Sequence, residues 1–238
     1  MTSASSPSFN RIARIYRWAE YLTLGPLLQR TRTHFLADLP ALQPALKIEP
    51  GTALVLGDGD GRFLARLLAQ QTRLQAVAID SSDAMLGLLR HRCRLYSDRL
   101  QTHQVSAVEF FDQGQWKGCA DLIVTHFFLD CLTQPELDRL ANRMAAHTRP
   151  GALWLLSDFA IPSHPWLAPL AALYIRLLYL AFRVLTGLRV THLPDRASAL
   201  SAAGFHRIAR HSLLCGLLYT EIWQRDESAY AVKDGNGL

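Results

Sequence analysis

Four cysteines, Cys93, Cys119, Cys131 and Cys215, are spread over 238 residues with no C-x-x-C pair among them. That spacing offers neither a zinc site nor a disulfide framework, so a reducing, cytoplasmic setting without a bound metal is expected. No apolar leader core follows Met1, and a cleaved secretory signal is not expected; the Ser- and Arg-rich start, free of acids before Glu20, only imitates a mitochondrial presequence. Aromatic and basic residues are not interleaved as stacking on single-stranded nucleic acid requires, so no nucleic-acid partner is expected either. An uninterrupted membrane-spanning run is also missing. The nearest stretch, Trp166 to Leu188, is broken by Arg176 and Arg183, seven residues apart and hence on one helical face. Those charges make a spanning helix costly and favour a half-buried or interfacial one.

What is present is a large apolar complement. Half of the residues are hydrophobic, and the length suffices for one full domain with an appendage. The formal net charge is +5, with arginines gathered near the start at Arg11, Arg14, Arg17, Arg30 and Arg32. Such a cluster suits an anionic partner, a membrane surface or a solvated helix face.

Periodicity divides the chain. From Phe9 to Leu39 apolar residues recur at helical spacing (Ile12, Ile15, Tyr16, Ala19, Leu22) with a break at Gly25-Pro26, which predicts a helical N-terminal appendage over residues 1–45. Beyond the linker LPALQPALKIEPG, short apolar runs alternate with helical segments, the pattern of a parallel sheet with crossovers. Strands are expected at Ala53–Leu56, Gln75–Ile79, Gln101–Val105, Leu122–Thr125 and Leu153–Leu156, with helices at Arg62–Gln71, Asp83–Leu95 and Gln134–His147. Thr133 and Glu136 form a capping box for the last of these, which should stop before Arg149-Pro150-Gly151. A short helix near Ala197–Ala203 leads to Phe205–Leu213 and Leu217–Gln224, close enough in sequence to pair as an antiparallel hairpin. The expected whole is an α/β, Rossmann-like seven-stranded sheet, mostly parallel, with helices on both faces. The main domain would span 46–225 with a helical lid insertion at 164–195, and 226–238 reads as a frayed tail.

The sharpest local signal is LVLGDGDGRF, Leu54 to Phe63. A strand running into a glycine-rich turn and then a helix presents bare amides and a helix N-terminus where nucleotide-like ligands bind. A dinucleotide fingerprint would need a glycine where Arg62 stands, so Gly57, Gly59 and Gly61 with Asp58 and Asp60 suit a ligand without a pyrophosphate. About twenty residues on, AVAIDSSDAML ends its strand at Asp80, where a carboxylate can accept from both hydroxyls of a ribose; Ser81, Ser82 and Asp83 supply the helix cap and leave Asp80 for a ligand.

The order of LVLGDGDGRF, AVAIDSSDAML, DLIVTHFFLDCL, RPGALWLLSDF, SAAGFHRI and the closing hairpin resembles the Rossmann-like S-adenosylmethionine-dependent methyltransferases over about Leu54 to Trp223. The start FNRIARIYRW is similar to the opening of the ubiquinone and menaquinone C-methyltransferases. The resemblance implies S-adenosylmethionine as cofactor, contacted by Tyr16, Gly57, Asp58, Gly59, Gly61, Asp80, Ser81, Met85, Ser106, Ala107, His126 and Phe127. Two positions depart from the family's pattern: Val55 stands where an acid usually orients the methionine end, and Ser106 where an acid usually bonds the adenine amine. Backbone amides of the loop, with Asp58 and Asp60, are expected to compensate. N-P-P-Y does not follow the fourth strand, which lowers the expectation of methylation on nucleobase amines or glutamine.

Ligands of an open α/β sheet meet the carboxyl ends of its strands, so THFFLDC and SDFAIP should face the site. His126 is the first candidate base, with Asp130, Asp158 and His192 behind it. Phe127 and Phe128 are candidate walls, and Tyr16 and Trp18 candidate covers. The expected function is methyl transfer to a small apolar acceptor, quinone- or lipid-like, by a protein that is cytoplasmic or peripheral at the inner face of the membrane. The alternatives are a polar small-metabolite acceptor, with the Trp166–Leu188 helix as core or a homodimer face, and a catalytically inactive cofactor-binding or structural protein.

Overall fold

The computed structural model describes residues 25–42, 50–112, 114, 116, 118–186, 190 and 192–227. The first helical segment expected from the sequence, with Tyr16 and Trp18, lies outside them, as do most of the linker and the tail from 228. Helix α1 (Gly25–Thr33) and the short α2 (Leu39–Leu42) precede β1 (Thr52–Leu56). Then come α3 (Arg62–Gln70), β2 (Gln75–Asp80), α4 (Asp83–Arg92), β3 (Leu100–Gln104), α5 (Ala107–Asp112), β4 (Ala120–His126), α6 (Gln134–Ala146), β5 (Thr148–Phe159), α7 (Ala168–Thr186), α8 (Arg196–Ala202), β6 (Phe205–Leu213) and β7 (Leu218–Arg225).

The seven strands form one sheet in the order β3-β2-β1-β4-β5-β7-β6. The first five run parallel and β7 is antiparallel to both β5 and β6. Because both faces of the central strands are covered, β1 and β4 are almost wholly buried and read as continuous apolar runs. One face carries Leu54, Leu56, Ile123, Trp154 and Leu156 against Leu137 and Leu140 of α6 and Leu200 of α8. The opposite face carries Ala53, Val55, Val124 and Leu155 against Phe63, Leu64 and Leu67 of α3, together with Leu36 and Leu39. The described part of the N-terminal region is thus built into the second layer.

Local signals explain most boundaries. Thr133 N donates to Glu136 Oε2 at 2.8 Å, the expected capping box of α6. Ser82 caps α4 by accepting from Met85 N at 3.3 Å, and Arg90, His91 and Arg92 occupy its last turn, where cations suit the helix dipole. Strand β5 corrects the expected Leu153–Leu156: it begins at Thr148 and runs through Pro150 and Gly151. It can do so because its register with β4 shifts between Ala120 and Leu122, and a strand irregularity tolerates a proline without a ladder hydrogen bond. Helix α5 was not foreseen; six residues are too few to show a period.

Candidate functional site

The three loop glycines all have positive φ (65°, 62° and 77°), yet they face different surroundings. A Cβ on Gly57 would lie 2.5 Å from Cδ2 of Phe128, and one on Gly61 would meet Leu89 of α4 at 2.9 Å; around Gly59 there is nothing within 4 Å. Gly57 and Gly61 therefore admit neighbours from the chain itself, and Gly59 alone opens onto free space at the carboxyl edge of the sheet. The two acids of the loop brace it. Asp58 is buried and its Oδ2 accepts from Leu64 N at 3.0 Å, inside the first turn of α3. Asp60 is held by Arg62 Nε at 3.0 Å and Arg92 Nη2 at 2.9 Å, which ties the loop to α4.

Asp80 ends β2, its Oδ1 accepting from Ser82 N at 2.8 Å. Burial pushes its carboxyl up to about 6, against the opposing pull of the Ser82 and Ser81 amides. A carboxylate held in so poor a solvent gains from ligand hydroxyls that replace lost water. We predict that Asp80→Ala weakens S-adenosylmethionine binding by about 1.5–3 kcal/mol, the usual worth of hydrogen bonds to a charged group. The ionised form is the better acceptor, so wild-type affinity should fall as pH drops through about 6 and the Asp80→Ala chain should lose that dependence. Calorimetric titrations at pH 5 and 7.5 read both effects, and equal affinities in the two chains would contradict them.

Ser81 sits half-buried beside Asp80, and Met85 is buried in the first turn of α4. Ser106 accepts from Glu109 N at 3.3 Å and so caps α5, with Ala107 as its first residue. The hydroxyl in the place of the usual acid is engaged by the helix it begins.

His126 closes β4 on the α3 side of the sheet. Its Nδ1 lies 2.9 Å from Ser157 Oγ, the Phe63 ring meets it edge-on at 4.4 Å between centroids, and Nε2 is buried with no hydrogen-bond partner. Burial, and next the charge of Arg32, lower its pKa well below the ordinary value and hold the ring neutral. Phe127 follows with φ 53°, rare for a bulky residue and of the kind that clusters at functional sites. Its amide donates to Ser157 O at 2.7 Å, and its ring packs on Phe159 at 5.2 Å under Arg32. Phe127 and Phe159 form an apolar cluster with Leu28 of α1 and with Ile175 and Tyr179 of α7.

On the opposite face, Asp158 Oδ2 accepts from Arg196 Nη1 at 3.0 Å, Arg196 Nη2 donates to Phe159 O at 2.8 Å, and Tyr179 OH donates to Asp130 O at 3.2 Å. Asp130 and Asp158 are both buried and share the charge of one guanidinium. Burial raises both carboxyls, Asp158 to about 8, and Arg196 opposes the rise. The pair is therefore suited to holding a proton near neutral pH. Asp80 is near enough to raise the neighbouring Cys131 thiol, after burial and the closer Asp130 and Asp158. His192 is exposed in the segment before α8. Sequence reasoning missed Arg196 and Ser157, whose roles exist only through strands and helices distant in the chain.

Residues 54–154 match a family described as a methyltransferase domain. That stretch, less than half of the chain, is similar to methyltransferase domains. The space open at Gly59 and the part-buried carboxyl of Asp80 are features that could hold S-adenosylmethionine. The domain's fold is that of an O-methyltransferase family protein from Burkholderia thailandensis (17% identity, TM-score 0.62, over 91% of this chain and 71% of that one). It is also similar to an O-methyltransferase family 2 protein from Planctomyces limnophilus, solved with apigenin (20%, 0.63, 91% and 61%). A third is magnesium protoporphyrin IX methyltransferase from Synechocystis, solved with bound S-adenosylhomocysteine (17%, 0.60, 83% and 83%). Comparison with curated proteins finds no match. The seven-stranded sheet, with its antiparallel last strands, matches a Rossmann-like methyltransferase fold; the stretch similar to quinone C-methyltransferases, Phe9–Trp18, falls outside the described residues.

Proposed function

We propose that the chain methylates a small apolar acceptor seated between α7 and the carboxyl ends of β4 and β5. The observation that carries this reading is the apolar cluster of Phe127, Phe159, Ile175 and Tyr179, backed by the α7 helix, with the adjacent Phe128 against Gly57 of the glycine loop. S-adenosylmethionine, when bound, would supply a methyl on a sulfonium that an acceptor's electron pair can take, the S–CH3 bonding pair staying on sulfur as a neutral thioether. Of the chain's own groups, the Gly59 turn and Asp80 hold and orient the nucleoside, while Phe127 and Phe128 exclude water and align the acceptor. The acceptor's proton passes to the ionised member of the Asp130–Asp158 pair, the pair sharing its protons under Arg196. His126 is a weaker base for this task, because burial and Arg32 both oppose its protonation.

Turnover to S-adenosylhomocysteine, followed with apolar and with polar small-molecule extracts, tests the reading. Apolar extract should support turnover, Asp158→Asn should lower it by about a hundredfold or more, and His126→Asn should change it far less. Turnover with polar extract alone would assign a polar acceptor. A hundredfold loss in His126→Asn with intact S-adenosylhomocysteine binding would return the base to His126.

A further inference from the structure

Helix α7 has a committed face and an uncommitted one. Ala171, Ile175 and Tyr179 are buried, the last two against the Phe127–Phe159 cluster. Trp166 (80% exposed), Leu170 (65%), Leu173 (55%), Leu177 (56%) and Leu180 (57%) stand in solvent. Their spacing of four, three, four and three residues draws one stripe along the helix, beginning in the turn before it. An apolar stripe of this size is normally an interaction surface.

We propose that this stripe docks on an anionic lipid surface, with α7 lying in the plane of the bilayer interface. Charge selects the occupant. Between Asp158 and Asp195 there is no acidic residue, whereas Arg176, Arg183 and Arg189 are basic. Arg176 is exposed and next to Leu177, on the flank of the stripe, and Arg183 follows seven residues on. A second copy of the chain would bring this helix against an equally basic one with no acid to pair, while a headgroup layer of anionic lipids supplies the missing charge and the Leu side chains enter the acyl boundary. Tryptophan at one end suits the same boundary. No described helix is long and apolar enough to cross a membrane, and the buried inner face of α7 keeps it at the surface. That inner face packs on the proposed acceptor cluster, so docking would open the site toward the phase in which an apolar acceptor dissolves. This consequence rests on the acceptor reading above; the docking itself does not.

The test is sedimentation of the full chain with phosphatidylcholine vesicles and with phosphatidylcholine–phosphatidylglycerol vesicles. The chain should pellet with the anionic vesicles and lose that association as salt shortens the Debye length. Leu173→Gln with Leu177→Gln should lower partitioning by about a hundredfold, and Arg176→Glu by about tenfold, with S-adenosylhomocysteine binding unchanged in both as the control for folding. Negligible pelleting with both vesicle types overturns the proposal. So does a dimer that the paired Leu substitution disperses in a chain that ignores lipid, which would give the stripe to a second copy. Vesicle binding without turnover on any acceptor would fail the acceptor reading alone.

Discussion

A Gly59→Val chain should fold and fail to bind S-adenosylmethionine. The native φ of 62° costs a residue with a Cβ about 1–2 kcal/mol, a loss that a domain stable by about 5–15 kcal/mol survives. No clash adds to it, because nothing lies within 4 Å of the position. The valine side chain would instead stand in the space left for the ligand, and binding should be undetectable by calorimetry while the circular dichroism spectrum is retained. Gly61→Val is the contrasting variant. Its Cβ would meet both the side chain and the Cα of Leu89, at 2.9 and 3.0 Å, so α4 must move and stability should fall with binding. Wild-type affinity in a folded Gly59→Val chain would show that the open side of the loop is not the cofactor's seat.

The largest stability effect is expected from Arg196→Met. Arg196 is 9% exposed, and it is the cation shared by Asp158 and Asp130. Removing one partner of a buried ion pair leaves the other desolvated and costs about 3–5 kcal/mol. The pH dependence has a definite sign. Asp158 is raised in the folded chain from 3.8 to about 8, so the folded state keeps a proton that the unfolded chain releases. Stability is then unpenalised below about pH 4 and declines as pH rises from there to about 8. Without the guanidinium the carboxyls rise further, and the decline should steepen and extend to higher pH. Urea unfolding of both chains at pH 5 and pH 8 measures this; a difference below about 1 kcal/mol at pH 8 would mean that the carboxyls do not depend on Arg196.

Much of this architecture is legible in the sequence because burial on both faces writes central strands as unbroken apolar runs: Ala53–Leu56, Ala76–Ile79 and Leu122–Val124 could be little else. The Thr133–Glu136 box and the hairpin beyond Gly204 are similarly local. The glycine loop and Asp80 were legible for the same reason, since the loop follows β1 and Asp80 ends β2, a short distance apart in the chain. The buried carboxyl pair proposed to take the proton was not. Asp158 and Arg196 are 38 residues apart and meet only because β5 and α8 pack together. His126 read as a base by its place at the end of β4, but burial, with Phe63 against its ring, and then the charge of Arg32 oppose its protonation, and the sequence brings neither near it. Helix α7 carries leucines around most of its circumference, with Arg176 and Arg183 on one face only, so periodicity could not say which apolar side would be buried.

The most direct test of the account is a calorimetric titration of the unaltered chain with S-adenosylhomocysteine at pH 7.5, repeated at pH 5. The glycine loop and Asp80 predict saturable binding of one ligand per chain, weaker at the lower pH as Asp80 takes up its proton near pH 6. Absence of saturable binding at both pH values would contradict it.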